Sequence, residues 1–86
     1  MSIDYNTLPD RLRHGMQRYI DHGIEPGSFL MAVLENDLIG AVNKADPDNF
    51  KDLKTIVNWF HWELPARCWG TKDVVENWIR SKSDDN

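Results

Sequence analysis

The sequence predicts an all-α, single-domain protein, and three observations carry that prediction. Apolar residues recur at spacings of three and four rather than two, no stretch alternates as a strand would, and helix start and stop signals fall between the periodic stretches. At 86 residues with 41% hydrophobic and 28% charged residues, the chain has room for one modest core. The expected architecture is four helices, over about 8–21, 28–45, 47–62 and 72–80, joined by short connections.

The first helix reads from Leu8 to Asp21, with Thr7 as N-cap, Pro9 in the first turn and Asp10 at the positive end. Its apolar face is Leu8, Leu12, Met16, Tyr19 and Ile20, and Gly23 ends it. The second starts with Ser28 as N-cap and runs to Ala45. Its apolar residues, Phe29, Leu30, Met31, Val33, Leu34, Leu38, Ala41, Val42 and Ala45, cover most of the cylinder, which predicts a central helix packed on several sides. Asp46-Pro47 opens the third, whose apolar arc is Phe50, Leu53, Ile56, Val57 and Phe60. Pro65 forces its end. Glu63 to Gly70 is an aromatic joint, Thr71 caps the last helix with Val74, Val75, Trp78 and Ile79 inward, and residues 81–86 read as a disordered polar tail.

Composition removes several function classes. The single cysteine, Cys68, excludes an internal disulfide framework and a thiolate metal cluster. The apolar run from Ser28 to Leu34 is too short to cross a bilayer, and Met1-Ser2-Ile3-Asp4 does not resemble a signal peptide, so the expected location is the cytoplasm. A formal charge of −4 argues against general nucleic-acid binding, and Phe29 to Leu38 offers no Arg, Lys or Gln to read base edges. Cys68 and His61 form no recognisable catalytic pattern, and no metal, cofactor or enzymatic activity is implied.

Four features depart from their local rules. Gly27-Ser28 before Phe29 leaves backbone N–H groups at a helix start, which suits either an anion or ordinary capping. Arg11, His14, Arg18 and His22 line one side of the first helix, a cationic stripe that an anion would relieve or that water and Asp10 and Asp21 would screen. Asp37, with Asn36 on the adjoining face, falls within an apolar arc, so its carboxylate needs a hydrogen bond or a ligand. Among the four tryptophans, Trp78 reads as core. Trp59 and Trp62 point outside the arc of the third helix, which favours an interface, and Trp69 either covers the core or borders a pocket.

Pro26-Gly27-Ser28-Phe29-Leu30, Ala32-Val33-Leu34, Asn36-Asp37-Leu38 and Trp69-Gly70-Thr71 resemble a family of small proteins encoded by bacteriophages and prophages. The resemblance extends over most of the chain, from Leu8-Pro9 through Gly15-Met16, Tyr19-Ile20 and Gly23-Ile24 to Trp78-Ile79. Lys72 stands where that pattern has proline, and His61-Trp62 replaces a more polar pair. The resemblance implies a phage accessory protein, and such proteins often counter host defence by sequestering signalling nucleotides or blocking a protein target. The leading expectation is a homo-oligomer that sequesters an anionic nucleotide signal. Arg11, His14 and Arg18 would face its phosphates and Gly27, Ser28 and Phe29 would cradle them. Asn36 or Asp37 would read polar edges, and Trp69 or Trp62 would stack on the base. The alternative is a host-protein inhibitor or adaptor that docks through Trp59 and Trp62.

Overall fold

A computed structural model describes residues 3–84. The described residues contain six α-helices rather than four: α1 (Asp10–His22), α2 (Ser28–Leu34), α3 (Leu38–Lys44), α4 (Pro47–Lys51), α5 (Leu53–Glu63) and α6 (Lys72–Asp84). A 3₁₀ turn, Ala66–Cys68, lies between the last two, and the described residues hold no strand. Among the described residues no helix is long and apolar enough to cross a membrane.

The extra helices come from two breaks inside stretches with continuous helical periodicity. At the first, Asn36 adopts φ 60°. The Asn36 N–H donates to the Val33 carbonyl at 3.0 Å and the Asp37 N–H to that of Ala32 at 2.9 Å, closing the end of α2 in a Schellman motif. The Asp37 carboxylate then accepts from the Gly40 N–H at 2.9 Å, capping α3. A Cβ on Gly40 would strike that carboxylate, so glycine permits the close cap. Asp37 therefore does not lie within an apolar helix. It is an exposed N-cap, and the long central helix is two short ones.

The second break is at Asp52, φ −95° and ψ 9°, between α4 and α5. One helical wheel drawn across 47–62 consequently misplaces its arc. The buried face of α5 is Ile56, Trp59 and Phe60, whereas Phe50 and Val57 are exposed. Asp46 caps α4 as expected, accepting from the Asn49 N–H.

Both ends of the chain add order that periodicity does not announce. Residues 3–8 fold back along α5: Leu8 is fully buried, Tyr5 packs on Trp59 with ring centroids 5.4 Å apart, and the Trp59 indole N–H donates to the Asp4 carbonyl at 2.7 Å. Arg13 fastens this segment, donating to the Leu8 and Asn6 carbonyls. Leu8 consequently precedes α1, and Pro9, not Thr7, occupies its N-cap position. Ser28 is likewise the first residue of α2, with Gly27 at the N-cap. At the other end, Thr71 caps α6 through the Val74 N–H, as expected. That helix continues through Asp84, four residues into the expected disordered tail, and the rest of that tail, residues 85 and 86, lies outside the described residues.

The core joins α1 (Met16, Tyr19, Ile20), five of the seven residues of α2, and Ile56, Trp59 and Phe60 of α5. Leu64, Cys68 and Val75 complete its far side. Gly23 ends α1 in the left-handed region, φ 67°, where a Cβ would also strike Lys82 and Ile79, so this glycine lets α1 and α6 approach. Two hydrogen bonds fix the joint before α6. The Tyr19 hydroxyl donates to the Cys68 carbonyl at 2.6 Å, and the Gly70 N–H donates to that of Leu34 at 2.7 Å.

Candidate functional site

The expected ligand residues do not form one site. Six of them divide between two recesses that border different parts of α2, and His14, Arg18 and Ser28 line neither.

Arg11, Gly27 and Phe29 border an open recess of about 230 Å³, with Leu12, Gly15, Pro26, Leu30 and Asn49. The Arg11 guanidinium is already engaged there. It donates to Asn49 Oδ1 through Nε at 3.2 Å and Nη2 at 2.9 Å, and forms an ion pair with Asp52 at 3.0 Å. An incoming phosphate would compete with a carboxylate for the same donor. His14, Arg18 and Ser28 are exposed, and none of them lines this recess. The Ser28 side chain forms no cap, and α2 has only seven residues, too few to give its start a strong dipole.

Asn36, Asp37 and Trp69 come together at a second recess, of about 100 Å³, whose other walls are Ala32, Val33, Leu38, Ala41, Leu53 and Val57. This one is apolar, with Asn36 and Asp37 forming a polar lip. The α2–α3 break sets its geometry. The Schellman turn directs α3 away from the line of α2, so that of α3 only Ala41 is buried. Leu38 and Ile39 are 72% and 75% exposed, and Val42 and Val57 are exposed beside them in sequence or recess. Trp69 reaches the recess from the joint before α6, braced edge-on against Phe60 at 5.6 Å between centroids. Such a cluster is more exposed than a self-sufficient core leaves its large aliphatic residues.

The tryptophan pair expected to form an interface is not a pair on the surface. Trp59 is 2% exposed, because residues 3–8 cover the side of α5 that the helical wheel leaves bare. Trp62 is 77% exposed and packs edge-on against His61. It faces an open recess with Thr7, Thr55, Asn58 and Glu63, separate from the α3 face. Trp78 is half-buried, its indole N–H held by the Tyr19 carbonyl at 3.1 Å.

Reactive groups are shielded. Cys68 is fully buried, and burial pushes its thiol from 9.0 up to about 11, leaving it protonated at neutral pH. Burial also raises the Tyr19 hydroxyl far above its ordinary value of 10.0. Among the described residues no group of His, Cys, Asp and Glu side chains is placed to hold a metal ion.

The exposed aliphatic residues of α3 were missed by sequence reasoning. Their signal was Asn36-Asp37 with Gly40 inside an otherwise apolar run, a turn-and-cap signature that breaks the wheel on which Leu38 and Val42 read as core. Comparison with protein-family models, curated proteins and solved structures finds no match to the chain.

Proposed function

We propose that this chain is a protein-binding module, an inhibitor or adaptor whose α3 face receives an apolar helix or loop of a partner. The resemblance to phage-encoded proteins suggests a host protein as that partner. The observation that carries the reading is the adjacent pair Leu38 and Ile39, both about three-quarters exposed, beside an apolar recess with a polar lip. Completing the burial of those two side chains is worth roughly 2–4 kcal/mol in transfer free energy. That amount suits a one-helix contact better than an obligate interface, which buries upwards of about 2,000 Å² in total. The recess has room for one aliphatic anchor of the partner, and Asn36 and Asp37 offer its backbone hydrogen-bonding groups at the rim.

The nucleotide reading would need Arg11, Arg18 and Ser28 to converge with Asn36, Asp37 and Trp69. Arg11 borders a different recess from Asn36, Asp37 and Trp69, and Arg18 and Ser28 border neither, so protein docking has the stronger support. The test is affinity capture from a bacterial host lysate, with Leu38→Lys/Ile39→Lys beside the wild type. We expect stoichiometric capture of one protein, lost in that double variant and kept in Arg18→Ala and Trp62→Ala. Capture unaffected by Leu38→Lys/Ile39→Lys would overturn the reading. So would wild-type self-association in sedimentation abolished by the same variant, which would assign the face to a second copy. Micromolar binding of a cyclic nucleotide in calorimetry, lost on Arg18→Ala, would restore nucleotide sequestration.

A further inference from the structure

A cluster outside both recesses has the chemistry of an anion site. In a chain whose 14 acidic residues outnumber its 10 Lys and Arg, two cations converge on one indole. The Lys82 ammonium lies 4.7 Å from the centroid of the Trp78 ring, and the Arg67 guanidinium 5.8 Å from it. Both belong to an open recess of about 390 Å³, together with Asn77 and Ser81. Among the described residues no acidic side chain borders it, and their ion pairs, Arg11–Asp52 and Arg13–Asp10, are elsewhere.

The cluster is held in place from below. The Trp78 ring is oriented by its hydrogen bond to the Tyr19 carbonyl. The Lys82 stem packs against Gly23, where no Cβ fits, so its base is fixed between α1 and α6 while its ammonium remains at the recess. Arg67 projects from the 3₁₀ turn that the Tyr19–Cys68 hydrogen bond anchors. The Ser81 hydroxyl spends its proton on the Trp78 carbonyl, which leaves Arg67, Lys82 and the Asn77 amide as the donors available to a ligand.

We propose that Arg67, Asn77 and Lys82 form a binding site for a phosphate monoester above the Trp78 ring. Each exposed cation–π contact contributes only about 0.5–1 kcal/mol, so the indole positions the cations without neutralising them. Their mutual repulsion is relieved by a dianion held between them, in a two-donor arrangement that favours phosphate over a monovalent ion. Arg67 and Lys82 both lie over the indole ring, where a base would have to stack, so recognition falls on the phosphoryl group. Free phosphate and a nucleotide monophosphate share this chemistry.

The experiment uses the full ¹⁵N-labelled chain at low ionic strength, with inorganic phosphate and AMP as separate probes. The reporter is the Trp78 indole N–H resonance, and sodium chloride of matched ionic strength is the control. We expect saturable phosphate-dependent shifts at Trp78 and Asn77 in the millimolar range or tighter, absent with chloride. The shifts should weaken at least tenfold in Arg67→Gln and in Lys82→Gln, and be largely retained in Lys82→Arg. Equal affinities for phosphate and AMP would place recognition in the phosphoryl group alone, as proposed. AMP binding much tighter than phosphate, with shifts spreading to Trp62 or Trp69, would overturn the assignment in favour of base recognition elsewhere. Shifts that do not saturate, that chloride reproduces, or that persist in both Gln variants would also overturn it. Far-UV circular dichroism of each variant shows whether a loss of binding is a loss of fold.

Discussion

Replacing Asp37 by alanine discriminates between two structures for residues 28–45, because they predict opposite signs. In the six-helix fold Asp37 is exposed and contributes one side-chain hydrogen bond, to the Gly40 N–H at 2.9 Å. Its removal leaves no cavity, so the effect is that of losing an N-cap, typically about 1 kcal/mol within a range of about 0.5–2. For a domain of this size that lowers Tm by roughly 4–8 °C. If residues 28–45 formed one helix, the same substitution would remove a carboxylate from an apolar arc and install the best helix former. Stability would then rise, by up to about 0.7 kcal/mol from propensity alone. Thermal melts followed by circular dichroism at low ionic strength separate the two outcomes. Asp37→Ser and Asp37→Asn, which keep a capping oxygen, should retain most of the wild-type stability. An Asp37→Ala protein that melts at or above the wild-type temperature would refute the capped break, and with it the geometry of the α3 face.

Two further predictions concern the core. Trp59→Ala should cost about 3–5 kcal/mol, a large share of the stability available to a small domain. The milder Tyr5→Ala should instead shift tryptophan emission to the red as residues 3–8 loosen over Trp59, and unchanged emission would contradict that cover. Alkaline pH should destabilise the fold, because burial raises the Cys68 thiol from 9.0 to about 11 and raises Tyr19 above 10.0. The unfolded chain releases these protons first, so their contribution is fully present below pH 9 and is lost as pH rises through the folded values. Urea midpoints should fall across that window, the thiol's share of the stability loss being no more than about 3 kcal/mol, and Cys68→Ala should flatten the early part of the decline.

The fold class was legible because its signals are local. Gly23, Asp46 and Thr71 mark helix ends by chemistry that acts within one turn, and each does so in the structure. The breaks at Asn36-Asp37 and Asp52 are local too, but periodicity masks them: an apolar residue after a break still falls at a plausible spacing from those before it. Once a helix is interrupted, the angle accumulated along the wheel no longer refers to one axis. Leu38, Val42, Phe50 and Val57 thus fall on the inward arc of a continuous wheel and are exposed in the structure. Trp59 failed in the other direction for a tertiary reason. Its burial depends on residues 3–8, which carry no helical period and are separated from it by some fifty positions. Of the candidate sites, the sequence brought forward Asn36, Asp37 and Trp69 individually, but their meeting in one recess depends on the turn between α2 and α3.

The joint before α6 connects the two proposed surfaces through structure rather than through shared ligands. Trp69 contributes to the apolar recess and Arg67 to the cationic one, two residues apart on the same short segment. Backbone geometry in this segment is held by three contacts with different parts of the fold: Tyr19 of α1 on the Cys68 carbonyl, the Leu34 carbonyl at the end of α2 on the Gly70 N–H, and Phe60 of α5 on the Trp69 ring. A short irregular segment anchored at three points can hold side chains on opposite sides of itself with little freedom, as a site on a long loop cannot. The same anchoring keeps the buried Tyr19 hydroxyl and the Cys68 carbonyl paired, so the core requires it whether or not either surface has a partner. By contrast, the fold requires neither the exposed side chains of Leu38 and Ile39 nor the outward guanidinium of Arg67. Substitutions at such exposed positions usually shift stability by no more than about 0.5 kcal/mol. Binding and stability are therefore separable in this molecule, which is what makes the α3 and Arg67–Lys82 variants direct tests of function.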